Sequence, residues 1–91
     1  MENNHFSTSD LATAAILLAS DGIIFQGIEG SDPRRLDFCF KPAKQAQRIA
    51  LDFISGKSII NARLYWDSLR RAKDILFSAE RQRGGRQAIV A

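Results

Sequence analysis

The sequence predicts a small α+β domain, an αββαα arrangement in which helices pack on a two- or three-stranded antiparallel sheet. Three observations carry that prediction. Segments with apolar residues at helical spacing flank a run, Arg35 to Lys41, that alternates with period two. A β-rich run, Ile23 to Glu29, precedes it across the turn signal Gly30-Ser31-Asp32-Pro33. The chain has 91 residues, 45% hydrophobic and 25% charged, which is the composition of one globular domain.

The first element is a helix over Leu11 to Ala19. Ser7-Thr8-Ser9-Asp10 offers hydroxyl caps, with Ser7 and Asp10 spaced as a capping box, and Asp21-Gly22 supplies a left-handed stop. Because the segment is apolar on nearly every side, it belongs in the core or under a partner. Two strands follow. The alternation places Leu36, Phe38 and Phe40 on one face, and a two-stranded hairpin is marginal alone, so helices must cover that face. Gly27 inside the first strand marks a bulge or a close backbone approach.

Pro42 opens the second helix, whose inward positions are Ala46, Ile49, Ala50, Phe53 and Ile54, and Gly56 closes it. The link Lys57-Ser58-Ile59-Ile60 is the place for a further short extended piece. Asn61 caps a third helix carrying Tyr65, Trp66, Leu69, Ala72, Leu76 and Phe77, with Asp67/Arg71 and Arg70/Asp74 spaced as solvated ion pairs. After Glu80, Arg81-Gln82-Arg83-Gly84-Gly85-Arg86 reads as the end of the helix and the start of a mobile tail. The organisation is therefore a flexible N-terminus over 1–6, one domain over 7–80 and a basic Arg/Gly tail over 81–91.

Several chemistries are argued against. His5 is the sole histidine and Cys39 the sole cysteine, so no disulfide forms within the chain, and no metal-ligand or catalytic spacing is visible. Phosphate-binding glycine loops are absent, and no small-molecule substrate, cofactor, metal or catalytic residue is indicated. No apolar run reaches the roughly 20 residues of a membrane span, and no secretory leader opens the chain. A cytoplasmic, non-enzymatic protein is expected.

The order Thr8-Ser9-Asp10-Leu11-Ala12, a hairpin with Phe38-Cys39-Phe40, Phe53-Ile54-Ser55-Gly56-Lys57 and Ala62-Arg63-Leu64-Tyr65-Trp66 resembles a family of small prokaryotic domains of unknown function met in phage and mobile-element neighbourhoods. The resemblance covers about residues 7–77. It implies the same α-β-β-α-α order and a prokaryotic or viral origin, and carries no activity with it.

Charge gives the functional expectation. Residues 1–80 hold ten Lys/Arg against ten Asp/Glu, so the net +3 is Arg81, Arg83 and Arg86. Arg63, Arg70, Arg71 and Lys73 share one helix with Tyr65 and Trp66. Together with the three tail arginines they form a candidate surface for weak, sequence-tolerant binding of DNA or RNA, which Arg34 and Arg35 could extend. The competing reading makes the aromatics core and the arginines solvent. The alternative function is a protein-interaction module or homodimer that covers apolar surface from the first helix, Ile59-Ile60 and the start of the third helix.

Overall fold

The computed structural model describes residues 4–84. Its elements are β1 (Phe6–Thr8), α1 (Leu11–Leu18), β2 (Ile24–Glu29), β3 (Asp37–Lys41), α2 (Ala43–Ile54) and α3 (Ala62–Gly84). The three strands form one antiparallel sheet in the order β1-β3-β2. The α+β class and the three-stranded form of the sheet therefore hold.

The third strand takes Phe6 from the expected flexible terminus and Ser7 and Thr8 from the expected helix cap. Phe6, Ser7 and Thr8 pair with Phe40, Cys39 and Phe38, whereas 57–60 carry no regular structure. Thr8 then spaces the chain, its hydroxyl accepting from the Asp10 N–H at 3.1 Å, and Asp10 itself caps α1. The Asp10 carboxylate accepts from the Thr13 N–H at 2.9 Å and the Thr13 hydroxyl at 2.6 Å, so one side chain satisfies two donors. The Ser7 capping box does not form, because Ser7 is committed to the strand.

β2 and β3 pair as expected, with a bulge between Phe25 and Gly27. Its consequence is a phase change. In a regular strand Phe25 and Ile28, an odd number of positions apart, would face opposite sides. The unpaired Gln26 resets the alternation, so both pack on the core, with the Phe25 ring 6.1 Å from Phe38 and 5.5 Å from Phe40.

Phe38, Phe40 and Leu17 are the largest fully buried side chains, and Leu36 joins them on the covered face. Thr13 to Leu17 are buried without a break, which explains why α1 is apolar all round: it lies between α2, α3 and the sheet. Ala14 and Ala15 of α1 and, on the other helices, Ala46, Ala50, Ala72 and Ala79 are buried, and their small size permits close helix approach. Asn61 caps α3 by accepting from the Leu64 N–H at 3.0 Å.

α3 continues to Gly84, past the expected start of the tail, so Arg81 and Arg83 lie in its last turn. Arg83 is the physical reason. Its guanidinium donates to the Gly30 carbonyl at 2.7 Å and the Ile28 carbonyl at 3.1 Å, bridging the end of the helix to the outer edge of β2 and the hairpin loop. The expected Asp67/Arg71 and Arg70/Asp74 pairs do not close. The i,i+4 ion pair among the described residues is Arg63–Asp67 at 3.3 Å.

Candidate nucleic-acid interface

α3 is the charged part of the molecule. It holds six Lys/Arg against three Asp/Glu, while residues 4–61 hold six of each, so the net positive charge of the described residues lies on this one helix. That differs from the distribution read along the sequence, where the excess fell on the tail alone, because α3 runs on through Arg81 and Arg83 and takes two of those three arginines into the helix.

The helix sorts its side chains by turn. Ser68, Ala72 and Ala79 are buried, and Tyr65, Ile75 and Leu76 pack against the core. Tyr65 donates its hydroxyl to the Ala12 carbonyl at 3.2 Å, with its ring 5.9 Å from Phe53. Burial raises its pKa above 10.0, with a smaller push from the Asp10 carboxylate. Tyr65 is thus a structural residue, unlike its neighbour Trp66, which is 51% exposed.

Trp66 is not isolated. Arg63, Trp66, Arg70, Lys73, Phe77 and Arg81 follow one another at steps of three or four along α3, and all six are exposed. Such spacing keeps side chains on one stripe of a helix. At about 1.5 Å per residue the stripe is about 27 Å long, and Trp66 and Phe77 stand about 16 Å apart along it. Phe77, expected from the sequence among the apolar residues of this helix, is 50% exposed and belongs to this outer stripe. The only signal for it in the sequence is its separation from Trp66, close to three full helical turns.

The remaining candidates separate. Arg71 is exposed but flanks the side of α3 that carries Asp67 and Asp74, away from Trp66. Arg83 points inward to β2, as above. Arg86 lies outside the described residues. Arg34 and Arg35 are exposed on the hairpin loop, whose Gly30 carbonyl is held by Arg83, so they sit at the same end of the molecule as Arg81. Beside the stripe, an open cleft of about 430 Å³ runs between β2 and α3, floored by Phe25 and Ile28 and walled by Ile75 and Ala79.

A small α+β domain presenting one long cationic helix, two of its aromatics turned to solvent, is the class these features define. The chain belongs to the family described as domain of unknown function DUF5659, whose match spans residues 3–78. No curated protein and no solved structure matches it at a significant level. No helix among the described residues is long and apolar enough to cross a membrane.

Proposed function

We propose that this domain is a non-enzymatic accessory protein that binds single-stranded nucleic acid weakly and without sequence preference along the outer stripe of α3. One observation carries the reading: Trp66 and Phe77 are exposed on the same stripe as Arg63, Arg70, Lys73 and Arg81. Aromatic faces stack on any unpaired base, and interleaved cations follow the phosphates, so the two together favour a single strand and tolerate any sequence. The Arg63–Asp67 pair is mostly exposed and leaves the guanidinium free to exchange a carboxylate for a phosphate. With a single cysteine and no disulfide partner for it in the chain, the reducing cytoplasm suits the protein. The phage and mobile-element setting implied by the resemblance is where we place such an accessory role.

Anisotropy of labelled single-stranded DNA, duplex DNA and RNA tests this. Four phosphate contacts to a single strand give a slope of log K against log salt near −3, from about −0.7 per contact. Trp66→Ala with Phe77→Ala should weaken single-strand binding by about 5- to 150-fold per lost stack, from about 1–3 kcal/mol each. Unchanged binding in that double variant, or equal preference for duplex, defeats the proposal.

A second reading rests on Leu51, Ile54 and Ile59, which are 56%, 72% and 100% exposed near the α2–α3 connection. Such apolar exposure suits a partner protein or a second copy. Light scattering across a wide concentration range addresses the homodimer: a strict monomer removes it.

A further inference from the structure

We propose that His5, Glu29 and Cys39 form a binding site for a divalent transition-metal ion of the zinc class on the outer face of the sheet, independent of the α3 stripe. The three residues are distant in sequence and are brought together by the three strands of the sheet. Cys39 is in the middle of the central strand β3, on the face opposite Phe38 and Phe40. Glu29 ends β2, and His5 immediately precedes β1. One ligand atom from each, the Cys39 sulfur, a Glu29 oxygen and a His5 ring nitrogen, lies within 4.8 Å of the other two.

The chemistry of the set is selective. Thiolate, imidazole and carboxylate are the three side-chain ligands that zinc accepts, and a hard ion such as magnesium would not choose a sulfur. Geometry agrees. Metal–ligand bonds of about 2.0–2.3 Å at tetrahedral angles put neighbouring ligand atoms about 3.3–3.6 Å apart. The His5 Nε2 and Glu29 Oε2 atoms are already 3.4 Å apart, and the Cys39 sulfur lies within 4.8 Å of the ligand atoms of both. Small side-chain rotations therefore close the set. Space is also present: the residue paired with Cys39 on β2 is Gly27, at the bulge, and a Cβ built there would meet nothing within 4 Å.

An ion pair between His5 and Glu29 needs no cysteine beneath it, and a buried cysteine acting as a small apolar residue belongs with Phe38 and Phe40 rather than on the polar face. The convergence of all three is what the ion explains. On binding, Cys39 coordinates through sulfur and its proton passes to solvent. Three protein ligands leave the fourth position to water, as in zinc sites that remain open.

The test is titration of the untagged full chain, stripped with chelator, with cobalt(II) and then zinc. One cobalt ion per chain should bind, with a thiolate-to-cobalt charge-transfer band and tetrahedral d–d bands, and zinc should displace it. Cys39→Ser should abolish the charge-transfer band, and His5→Gln and Glu29→Gln should each weaken zinc binding at least tenfold. Because Cys39 is buried and its variant could misfold, the two partly exposed positions supply the independent check: zinc should raise the melting temperature of the parent chain and not of His5→Gln. Absence of the band, or zinc affinity and melting response unchanged in His5→Gln and Glu29→Gln, overturns the site.

Discussion

Replacing Arg83 with alanine should destabilise the domain without touching nucleic-acid affinity, and the structure sets the size of the effect. Two bonds span from α3 to the edge of the sheet, at 2.7 Å to Gly30 and 3.1 Å to Ile28, while the 3.5 Å contact to Ala79 stays within the helix and adds little. A charged donor to a carbonyl contributes about 1.5–3 kcal/mol when well buried. Arg83 is only half-buried, so water replaces part of each bond, and about 0.5–1 kcal/mol apiece is the appropriate scale. The loss of about 1–2 kcal/mol corresponds to a melting temperature lower by about 4–15 °C for a domain this small. Arg83→Lys should recover no more than about half, because a single ammonium cannot fork two carbonyls. Thermal unfolding by circular dichroism reads this, beside anisotropy on the same samples. The contrast is Arg81→Ala, which should leave the melting temperature within about 1 °C and reduce the salt slope by about 0.7. If Arg83→Ala instead kept its melting temperature and lost salt slope as Arg81→Ala does, Arg83 would be a phosphate ligand and the bridge to β2 would be energetically empty.

Two further outcomes follow from local geometry. Tyr65→Phe should cost about 0.5–1.5 kcal/mol through the lost bond to Ala12. Because Tyr65 titrates higher in the fold than in the unfolded chain, its contribution is complete below pH 10.0 and falls as pH rises through that value and beyond. The stability difference between parent and Tyr65→Phe, followed by urea unfolding from pH 8 to 11, should therefore shrink at the alkaline end, and a constant difference would contradict the burial of the phenol. Gly30→Ala should be worse than Gly27→Ala by at least about 1 kcal/mol. Both glycines have positive φ, +117° and +129°, but a Cβ at Gly30 would sit 2.7 Å from the Arg35 carbonyl oxygen, whereas at Gly27 it meets open space. Equal melting temperatures for the two variants would remove the steric argument.

What the sequence made legible was decided locally. The end of α2 and the start of α3 follow from Gly56 and Asn61, whose backbone freedom or side chain acts within a few residues, whereas α1 starts under Asp10 and not under the expected Ser7 box. The covered face of β3 follows from the alternation of Leu36, Phe38 and Phe40. β1 was not legible: three residues, Phe6-Ser7-Thr8, are too few for periodicity, and their hydroxyls argue equally well for a helix cap. The length of α3 was missed because Gly84-Gly85 and clustered arginines read as a helix stop, while the carbonyls that hold Arg83 lie on β2 and the loop after it, more than fifty residues earlier. In the stripe, Arg63, Arg70, Lys73 and Arg81 were legible as cations, but the separation of Tyr65 from Trp66 depends on which side α1 occupies. The His5–Glu29–Cys39 cluster left no mark in spacing, since only the β1-β3-β2 order brings those strands side by side.

Trp66 and Phe77 sharpen the functional argument because folding makes little use of them. Each leaves about half its surface in water, so burial stabilises the fold through each by about half of what a core aromatic contributes. Their stripe contrasts with Tyr65, Ala72 and Leu76, which face the core from the same helix. Exposed substitutions away from caps, networks and cavities change stability by roughly half a kcal/mol or less. Replacing both aromatics should thus lower the melting temperature far less than replacing two core aromatics would, while binding to a single strand falls. Charge neutralisation of Arg70 and Lys73 extends the same logic, since neither closes an ion pair among the described residues. Their removal takes away repulsion along a helix with twice as many bases as acids, and it should leave the fold intact while flattening the salt dependence. A stripe whose residues can be removed at little cost to the fold, yet which combines two stacking faces with aligned cations, is better accounted for by a ligand than by packing.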